Sequence, residues 1–515
     1  MSPAPAAPGA SGLGRVVKDV TGFVGSQYFI RFATLLKGFV VARLLGPTGN
    51  GLWQHFVLIS EYCIQAQLGV LPGLSKDLGH RIGRGDEDGA VTARETGMTG
   101  IFISALCLWV CLCGYVAWRW AELPLYDRLG LPLLGLIVVF EQINFTYMAL
   151  LRAYSRIKII SVIAAVFAAA NLTVSVALLV IFPSLHVFAL LIGWLVTRAT
   201  TMVWMIHRSG YAFRLTIHWP MVRTLVVTGF PIFLFHLTRV GLRNIDRVLV
   251  DSVLAKSQLG IYGIAVTLAG LVHYIADAVA FVIYPILLRI YGETRDPTAL
   301  RDHLVKPTGF LSMLVSAGLG LSYLVLHLPI LWLLPAFVPS IEIYRLLTVS
   351  VAFYCLSILP GFYLMAIDRQ NALIPLGVGA VAFDFFVGKF MIQQGHGLAG
   401  VAATMGVGNL LYCTAVLAYA GRFVWESRGQ ALAWIGRCYA PIAFFGALVL
   451  GIRAMSSHTP LSAWGEAPRS AIEGLVFIAL SLPALWIYER KTGVMRRLRR
   501  RSPAVQPVEP QGPPE

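Results

Sequence analysis

The sequence predicts an all-α polytopic membrane protein with about fourteen transmembrane helices. Of its 515 residues, 57% are hydrophobic and only 13% are charged, whereas a soluble domain carries about 25% charged residues. The mean hydropathy is +0.73. Apolar runs long enough to cross a bilayer, about 20 residues each, recur from one end of the chain to the other. The predicted spans are 24–45, 52–72, 97–117, 131–151, 159–182, 186–206, 224–249, 258–288, 308–328, 341–365, 372–392, 397–420, 438–455 and 471–488.

The distribution of Lys and Arg predicts how these spans are oriented. With a cytoplasmic N-terminus, 27 of the 41 Lys and Arg residues fall in cytoplasmic segments, 5 fall outside and 9 lie within helices. Positive residues concentrate on the cytoplasmic side of membrane proteins. We therefore expect a bacterial inner-membrane protein with both termini in the cytoplasm. The net charge of +16 follows from this asymmetry, and it indicates anionic membrane lipids, not nucleic acid, as partners of the basic tail.

The two ends of the chain differ in composition from the rest. Residues 1–14 are rich in Pro, Ala and Gly, without the positive start of a signal peptide, and predict a disordered leader. Residues 491–515 are first basic and then Pro-rich, and they predict a cytoplasmic tail. The seven cysteines lie in or beside apolar segments without metal-ligand spacing. They predict small buried hydrophobic residues and no metal site.

A nine-residue pattern occurs twice in the chain. Residues 45–53 follow the first predicted span and residues 254–262 follow the seventh, at a constant offset of 209. Both are short outside turns that precede an aromatic residue at the start of the next helix. Because six helices separate them, duplicated halves would share one orientation about an axis along the membrane normal. We therefore predict two six-helix lobes at 15–210 and 211–430, and two additional helices at 431–490.

Several short segments, taken together, resemble a known family. In order, spacing and topology they are similar to the Wzx-type oligosaccharide flippases, the polysaccharide transport branch of the MOP exporter superfamily, over about residues 15 to 430. The segments are Val41-Ala-Arg-Leu-Leu-Gly-Pro-Thr-Gly-Asn-Gly-Leu-Trp53, Leu68-Gly-Val70, Arg81-Ile-Gly-Arg-Gly-Asp-Glu87, Asn244-Ile-Asp-Arg-Val-Leu-Val250 and Leu259-Gly-Ile-Tyr262.

The resemblance implies both a fold and a function. It implies two six-helix lobes around a central cavity, followed here by the two C-terminal helices. It further implies a flippase that moves polyprenyl-pyrophosphate-linked oligosaccharide across the inner membrane by alternating access, for lipopolysaccharide or exopolysaccharide synthesis. The expected partners are the lipid-linked oligosaccharide, a polysaccharide polymerase and glycosyltransferases.

The seventh predicted span carries the densest set of charges at membrane depth. His236, Arg239, Arg243, Asp246 and Arg247 fall within an arc of about 100° on a helix. Charges at this depth usually face a cavity or a partner, and the planar fork of Arg suits a pyrophosphate. We interpret the three Arg residues as substrate-binding and Asp246 as a residue that orients one of them. The alternative is a structural ion-pair network.

The first two spans carry further candidate substrate-binding residues. Arg31 and Lys37 lie about 120° apart on a straight helix and could flank a wide cavity, unless one of them snorkels. Gln54, Glu61 and Gln65 fall within about 40° of one another. This polar stripe suits sugar hydroxyls, and Glu61 could exchange a proton. The alternative is hydrogen bonding between helices.

Other intramembrane charges stand alone in the sequence. Each is a candidate coupling site for H+ or Na+, or half of a structural pair, and no other cofactor is expected. These residues are Glu141, Asp277, Asp384 and Lys389. Arg198 and Arg345 are interpreted as anchors at helix ends.

Two competing functions make different demands on the sequence. A MATE-like cation-coupled drug or metabolite antiporter would want an acidic residue in its first helix, but residues 27–46 contain none and hold three basic residues. This favours an anionic substrate. A polysaccharide polymerase or ligase would need a larger outside loop than the short turns available here. No phosphate-binding loop for ATP is present, so we predict a transporter, not an enzyme.

Overall fold

The computed structural model describes residues 10–154, 156–458 and 465–492, with side chains from residue 29 onward. Every regular element in these ranges is helical. The α-helices are α1 (Ala10–Cys63), α2 (Val70–Arg84), α3 (Glu87–Trp118), α4 (Leu125–Ala153), α5 (Ile157–Ile181), α6 (Val187–Ser209), α7 (Trp219–Val253), α8 (Lys256–Ala269), α9 (His273–Thr294), α10 (Arg301–Val325), α11 (Leu328–Leu333), α12 (Ser340–Ala366), α13 (Leu373–Gln393), α14 (Gly397–Val424), α15 (Arg428–Ser457) and α16 (Glu466–Thr492).

The described chain contains twelve helical segments after α2 that are long and apolar enough to cross a membrane. They correspond, one to one, to the third through fourteenth predicted spans. The first predicted span and the start of the second lie in α1, which at about 1.5 Å per residue would exceed twice a bilayer's thickness if straight. It is not straight, because Gly46 takes a left-handed φ of 66° immediately before Pro47. The predicted fold class is therefore confirmed.

Two of the membrane-crossing paths are interrupted. The second span passes from α1 through a 3-10 turn at Ile64–Gln67 and then through Leu68 and Gly69, both with positive φ, into α2. The eighth span is divided into α8 and α9 by a 3-10 turn at Gly270–Val272. Such irregular backbone is tolerated at membrane depth where protein or a cavity surrounds it. Both breaks lie in helices that contact the opposite lobe.

The ends of the chain are only partly described. Residues 1–9 of the predicted leader and residues 493–515 of the predicted tail lie outside the described residues. Helix α1 begins at Ala10, inside the predicted leader.

The cysteine prediction is correct for part of the set. Cys355, Cys413 and Cys438 are buried, whereas Cys107 and Cys111 are exposed on α3. The prediction of buried thiols is therefore wrong for these two. They lie on a helix whose most apolar stretch is largely uncovered by protein, because its outer face is left for lipid.

The helices form an N-terminal lobe (α1 to α6), a C-terminal lobe (α7 to α14) and an additional pair (α15 and α16). The largest hydrophobic core lies in the C-terminal lobe, and the N-terminal lobe has separate cores around Leu150 and Phe56. The additional pair packs on α10 through Phe445, Phe477 and Leu324. The lobes meet where α1 contacts α8 and α2 contacts α7.

The two copies of the repeated pattern lie against each other. A β-carbon at Gly51 would stand 1.7 Å from the carbonyl oxygen of Lys256, and one at Gly260 would stand 1.9 Å from that of Pro47. These positions are paired by the offset of 209, so the contact is reciprocal. Only glycine allows backbones to approach so closely. The reciprocity supports a duplication about a two-fold axis along the membrane normal.

Candidate central cavity between the lobes

The middle of α7 presents cations that have no acidic partner. Arg243 is exposed, and neither it nor Arg239 forms an ion pair among the described residues. Arg239 lines a small cavity with Tyr354 of α12 and Tyr412 of α14. The Tyr354 side chain is also its hydrogen-bond partner. These two Arg residues are therefore available to an anion that enters between the helices.

Helix α9 and the first helix complete this region. His273 lies in electrostatic range of both Arg239 and Arg243, and its ring is 5.1 Å from that of Tyr354. On the next residue, the Tyr274 ring has the Arg31 guanidinium 3.5 Å above its centroid. Arg31 thus reaches from the N-terminal lobe to the C-terminal lobe. Arg31 and the two α7 arginines therefore lie around the start of α9.

Asp277 lies one turn beyond Tyr274 and is exposed. It forms no ion pair among the described residues, although it is within electrostatic range of Arg239. It is therefore an acid at the border of a cationic region. Its predicted role in coupling or charge pairing remains a prediction.

Arg247 has a different environment from Arg243, one helical turn away. Its Nη2 is 3.4 Å from Oε2 of Glu61 and donates a hydrogen bond to the Asn244 side chain. Asn244 also donates to Glu61. The predicted substrate-binding stripe is thus divided, because Arg247 and Glu61 form a bridge between the lobes.

Asp246 faces the interior of its own lobe. Its carboxylate accepts hydrogen bonds from the Tyr262 hydroxyl and from the backbone N–H of Arg247, both at 2.7 Å. It forms no side-chain ion pair with an Arg in the described structure, so it does not orient one as predicted. Asp384 of α13 lies in electrostatic range of Asp246. Asp384 is 4% exposed, and neither of its oxygens has a hydrogen-bond partner.

The remaining candidates in the first two spans do not converge on α7. Lys37 donates a hydrogen bond of 2.5 Å to Asn171 and lies over the Trp53 ring, inside the N-terminal lobe. Gln54 packs against Gly263 of α8. Gln65 is half-buried in the 3-10 turn. Arg31 and Lys37 therefore do not flank one cavity, because Lys37 is directed into its own lobe.

One of the helix-end interpretations is wrong. Arg198 lies in the middle of α6, where its Nη2 is 2.7 Å from Glu141 and its guanidinium covers the Phe167 ring. Trp194 also donates to Glu141. Glu141 is therefore half of a buried structural pair, which was one of its two predicted roles.

The sequence interpretation missed a cluster at the lobe interface near the C-terminal end of α7. Both ring nitrogens of His55 face carboxylates, with Nδ1 2.6 Å from Asp251 and Nε2 3.1 Å from Asp127. Lys256 pairs with Asp251 and lies 3.0 Å from the same ring. His55 and Asp127 belong to the N-terminal lobe, and the other two to the C-terminal lobe. The repeated pattern could have indicated this cluster, because Lys256 lies in its second copy and His55 follows its first copy.

A family model described as "Polysaccharide biosynthesis protein" matches residues 40–325, more than half of the chain. The chain belongs to this family. No curated protein matches it.

Solved structures of transporters share the fold of this family member. The lipid II flippase MurJ in an inward closed conformation superposes with a TM-score of 0.68 at 13% identity, over 91% of this chain and 99% of that chain. An inward-facing multidrug resistance MATE transporter of the MOP superfamily gives 0.62 at 15% identity, over 79% and 96%. A MATE transporter from Vibrio cholerae gives 0.58 at 12% identity, over 80% and 98%. The family match and the shared fold agree with the predicted resemblance.

Proposed function

We propose that this protein is a flippase for polyprenyl-pyrophosphate-linked oligosaccharide repeat units. It would move them from the cytoplasmic to the outer leaflet of a bacterial inner membrane, for lipopolysaccharide or exopolysaccharide synthesis. The observation that carries the proposal is the exposed Arg243, which has no acidic partner within the described structure. An unpaired cation at membrane depth is costly, and a pyrophosphate passing between the lobes would compensate it. Polysaccharide biosynthesis, the description of the family, supports this substrate class.

Contacts at both ends of α7 support a mechanism of alternating access. Towards its C-terminal end, Arg247 pairs with Glu61 across the lobe interface. Towards its N-terminal end, a β-carbon at Gly229 would stand 1.9 Å from the carbonyl oxygen of Gly69. The lobes therefore touch on both sides of the unpaired Arg residues. Translocation would require these contacts to separate one end at a time, so that the cavity opens to one leaflet and then to the other.

We further propose that the coupling ion, H+ or Na+, binds at Asp246 and Asp384. Burying a carboxylate without a hydrogen-bond donor or a cation costs free energy, and both Asp384 oxygens are in this position. Glu61 and Glu141, by contrast, already pair with Arg residues. An Asp384→Asn protein should therefore lose the dependence of transport on the ion gradient, while the substrate still binds. An unchanged gradient dependence would rule out this site.

The proposed orientation places both termini in the cytoplasm, and it can be measured with single cysteines in a cysteine-free protein. Thr48 and Arg84 are both exposed and lie on opposite predicted sides. Thr48→Cys should react with a membrane-impermeant reagent in intact spheroplasts, and Arg84→Cys should react only after permeabilisation. Reaction of both in intact spheroplasts would contradict the orientation.

The flippase proposal is tested in a strain that lacks this gene. Lipid-linked repeat units should accumulate in that strain and remain inaccessible to a sugar-modifying enzyme added outside spheroplasts. Expression of the protein should make them accessible without changing their structure. If the units are accessible in the deletion strain but remain unpolymerised, the protein is a polymerase. If only drug susceptibility changes, it is an antiporter of the MATE kind.

A further inference from the structure

The additional pair of helices joins the C-terminal lobe through a cluster of arginines. The Arg345 guanidinium of α12 lies 5.4 Å from the centroid of the Tyr323 ring, and the Arg453 guanidinium of α15 lies 5.7 Å from the same centroid. The two cations therefore lie close together around one ring. Like charges repel at this range, and low dielectric strengthens the repulsion. An anion between them would remove it.

The acidic residues in this cluster do not neutralise these two Arg residues through hydrogen bonds. Glu473 is buried and accepts a hydrogen bond of 3.0 Å from Arg469, whereas its distance to Arg453 is 4.0 Å. Glu466 is half-exposed, and its Oε1 is 3.8 Å from Nη2 of Arg345 and 3.5 Å from Nε2 of His327. The distances of 4.0 Å from Glu473 to Arg453 and 3.8 Å from Glu466 to Arg345 both exceed hydrogen-bond length. Three guanidinium groups therefore face two carboxylates, one of which is already engaged.

Several polar atoms in this cluster are buried without a hydrogen-bond partner among the described residues. Nε and Nη2 of Arg345 have no hydrogen-bond partner among the described residues, and neither has Nδ1 of His327. His327 is 1% exposed, and its Nε2 contacts Ser470 of α16 at 3.2 Å. Buried donors are normally satisfied. The Nε and Nη2 atoms of one guanidinium form the fork that binds two oxygens of a phosphate.

The depth of the cluster identifies the membrane region in which the anion lies. Arg453 is close to the end of α15, and Glu466 begins α16, on the side that the distribution of Lys and Arg assigns to the outside. Trp332, on α11 beside this cluster, is 66% exposed. Exposed Trp residues are typical of the headgroup level of a membrane. The ligand is therefore within reach of the headgroups of the outer leaflet.

We propose that Arg345, Arg453 and His327 form a binding site for the phosphate group of an outer-leaflet membrane lipid. The phosphate would bridge α12 and α15 and so tie the additional pair of helices to the C-terminal lobe. Two sources carry this chemistry: a resident phospholipid, and a polyprenyl pyrophosphate. The site lies outside the proposed central cavity, and only the pyrophosphate alternative involves the lipid of the proposed substrate.

The experiment measures the thermal stability of the purified full-length protein in detergent, by size-exclusion chromatography after heating. The probes are dioctanoyl phosphatidylglycerol, undecaprenyl pyrophosphate, inorganic phosphate, and dioctanoylglycerol, which lacks the phosphate. A ligand of the folded state raises its apparent melting temperature in a saturable way. We expect this from at least one of the two phosphate-bearing lipids and not from dioctanoylglycerol. The source is whichever of the two lipids, the phospholipid or the pyrophosphate lipid, stabilises the protein at the lower concentration. If inorganic phosphate alone produces the same stabilisation, no lipid is required, and the proposal of a lipid site is wrong.

Substitutions test whether the stabilisation by lipid depends on the residues of the proposed site. Arg345→Gln should weaken the apparent affinity for the stabilising lipid by about tenfold or more, because the paired donors are lost. Arg345→Lys should restore part of it. Arg119→Gln is the matched control, since Arg119 is an exposed Arg on the same predicted side that pairs only with Glu122. Equal stabilisation of wild-type protein by dioctanoylglycerol, or an unchanged affinity in Arg345→Gln, would overturn the proposal. If Arg345→Gln fails to fold, the affinity of Arg453→Gln for the lipid and the comparison of the lipids on wild-type protein decide whether the phosphate site exists.

Discussion

Arg243 and Arg247 lie one turn apart on the same helix, yet the structure uses them in opposite ways. Arg247 meets Glu61 of the opposite lobe, whereas Arg243 is exposed and meets no acid in the described part of the chain. The difference arises from the N-terminal lobe, which presents a carboxylate opposite one residue and none opposite the other. The C-terminal end of α7 thus holds the lobes together, and its middle carries the cation that the proposed function assigns to the substrate.

The comparison extends to the surroundings of each residue. Around Arg247, the His55, Asp127, Asp251 and Lys256 side chains neutralise one another across the lobe interface. Around Arg243, the neighbouring Arg239, one helical turn away, adds a second cation. In a balanced network, a charge contributes to stability mainly because its removal would leave its partner buried and unpaired. A charge in an unbalanced region contributes to binding. Mutations at the two positions should therefore affect different measurements.

The largest expected effect is the loss of transport in Arg243→Glu. A carboxylate in the cavity repels the pyrophosphate, whereas no partner is left unpaired, so the protein should fold. We expect no detectable surface polysaccharide in the deletion strain at a normal amount of membrane-inserted protein. Arg243→Lys should retain part of the activity, because it keeps the charge but loses the paired donors. Arg289→Glu, at an exposed Arg on α9, is the control, and full complementation by Arg243→Glu would end the cationic-cavity interpretation.

The next largest effect is expected from Gly51→Ala and Gly260→Ala. Each added β-carbon would collide with a backbone carbonyl of the opposite repeat, which forces the lobes apart and costs about 1–3 kcal/mol. Because the contact is reciprocal, the two variants should lower thermal stability by similar amounts. Gly38→Ala, where an added β-carbon meets nothing within 4 Å, should leave it unchanged. A large effect at one glycine and none at the other would contradict the two-fold relation.

A comparable or smaller loss of stability is expected from Arg247→Ala. It leaves Glu61 without its cation, and we expect a cost of about 1–3 kcal/mol, reduced from the value of a fully buried pair because Glu61 is 38% exposed. The measurement is the amount of folded protein after heating. Glu61→Gln combined with Arg247→Ala should be less harmful than the sum of the single changes, since the pair is removed together. Strict additivity would show that the two residues do not interact.

The smallest effect in this series is expected from His55→Gln. The Lys256–Asp251 pair remains when the imidazole is removed, so the lobe contact is weakened but not lost. We expect a loss of about 1 kcal/mol or less and retained transport. Asp251→Asn should be more harmful, because Asp251 contacts both cations of the cluster. If His55→Gln abolishes transport at a normal protein level, the cluster takes part in the transport cycle itself.

The candidate site was only partly predictable from the sequence. Charge type and helical position selected Arg239 and Arg243 as candidates, because the cost of a charge at membrane depth is a local property, and their role in substrate binding stays a prediction. The same reasoning could not separate Arg247 from them, since all three share one face of α7. It also assigned Arg198 to a helix end, because the sequence does not show that Glu141 lies opposite it.

The sequence by itself predicted the positions of the spans, their orientation and the duplication. Each of these depends on properties of short segments, namely apolar length, Lys and Arg counts, and a nine-residue pattern. Tertiary structure decided which charges are paired, since Glu61 and Arg247 lie 186 residues apart in the chain and meet only when the lobes close. It also decided that Arg345 of α12 and Arg453 of α15 lie around one Tyr323 ring. Hydropathy determines where a segment lies in the membrane, whereas a charge's partner is determined by how the helices pack.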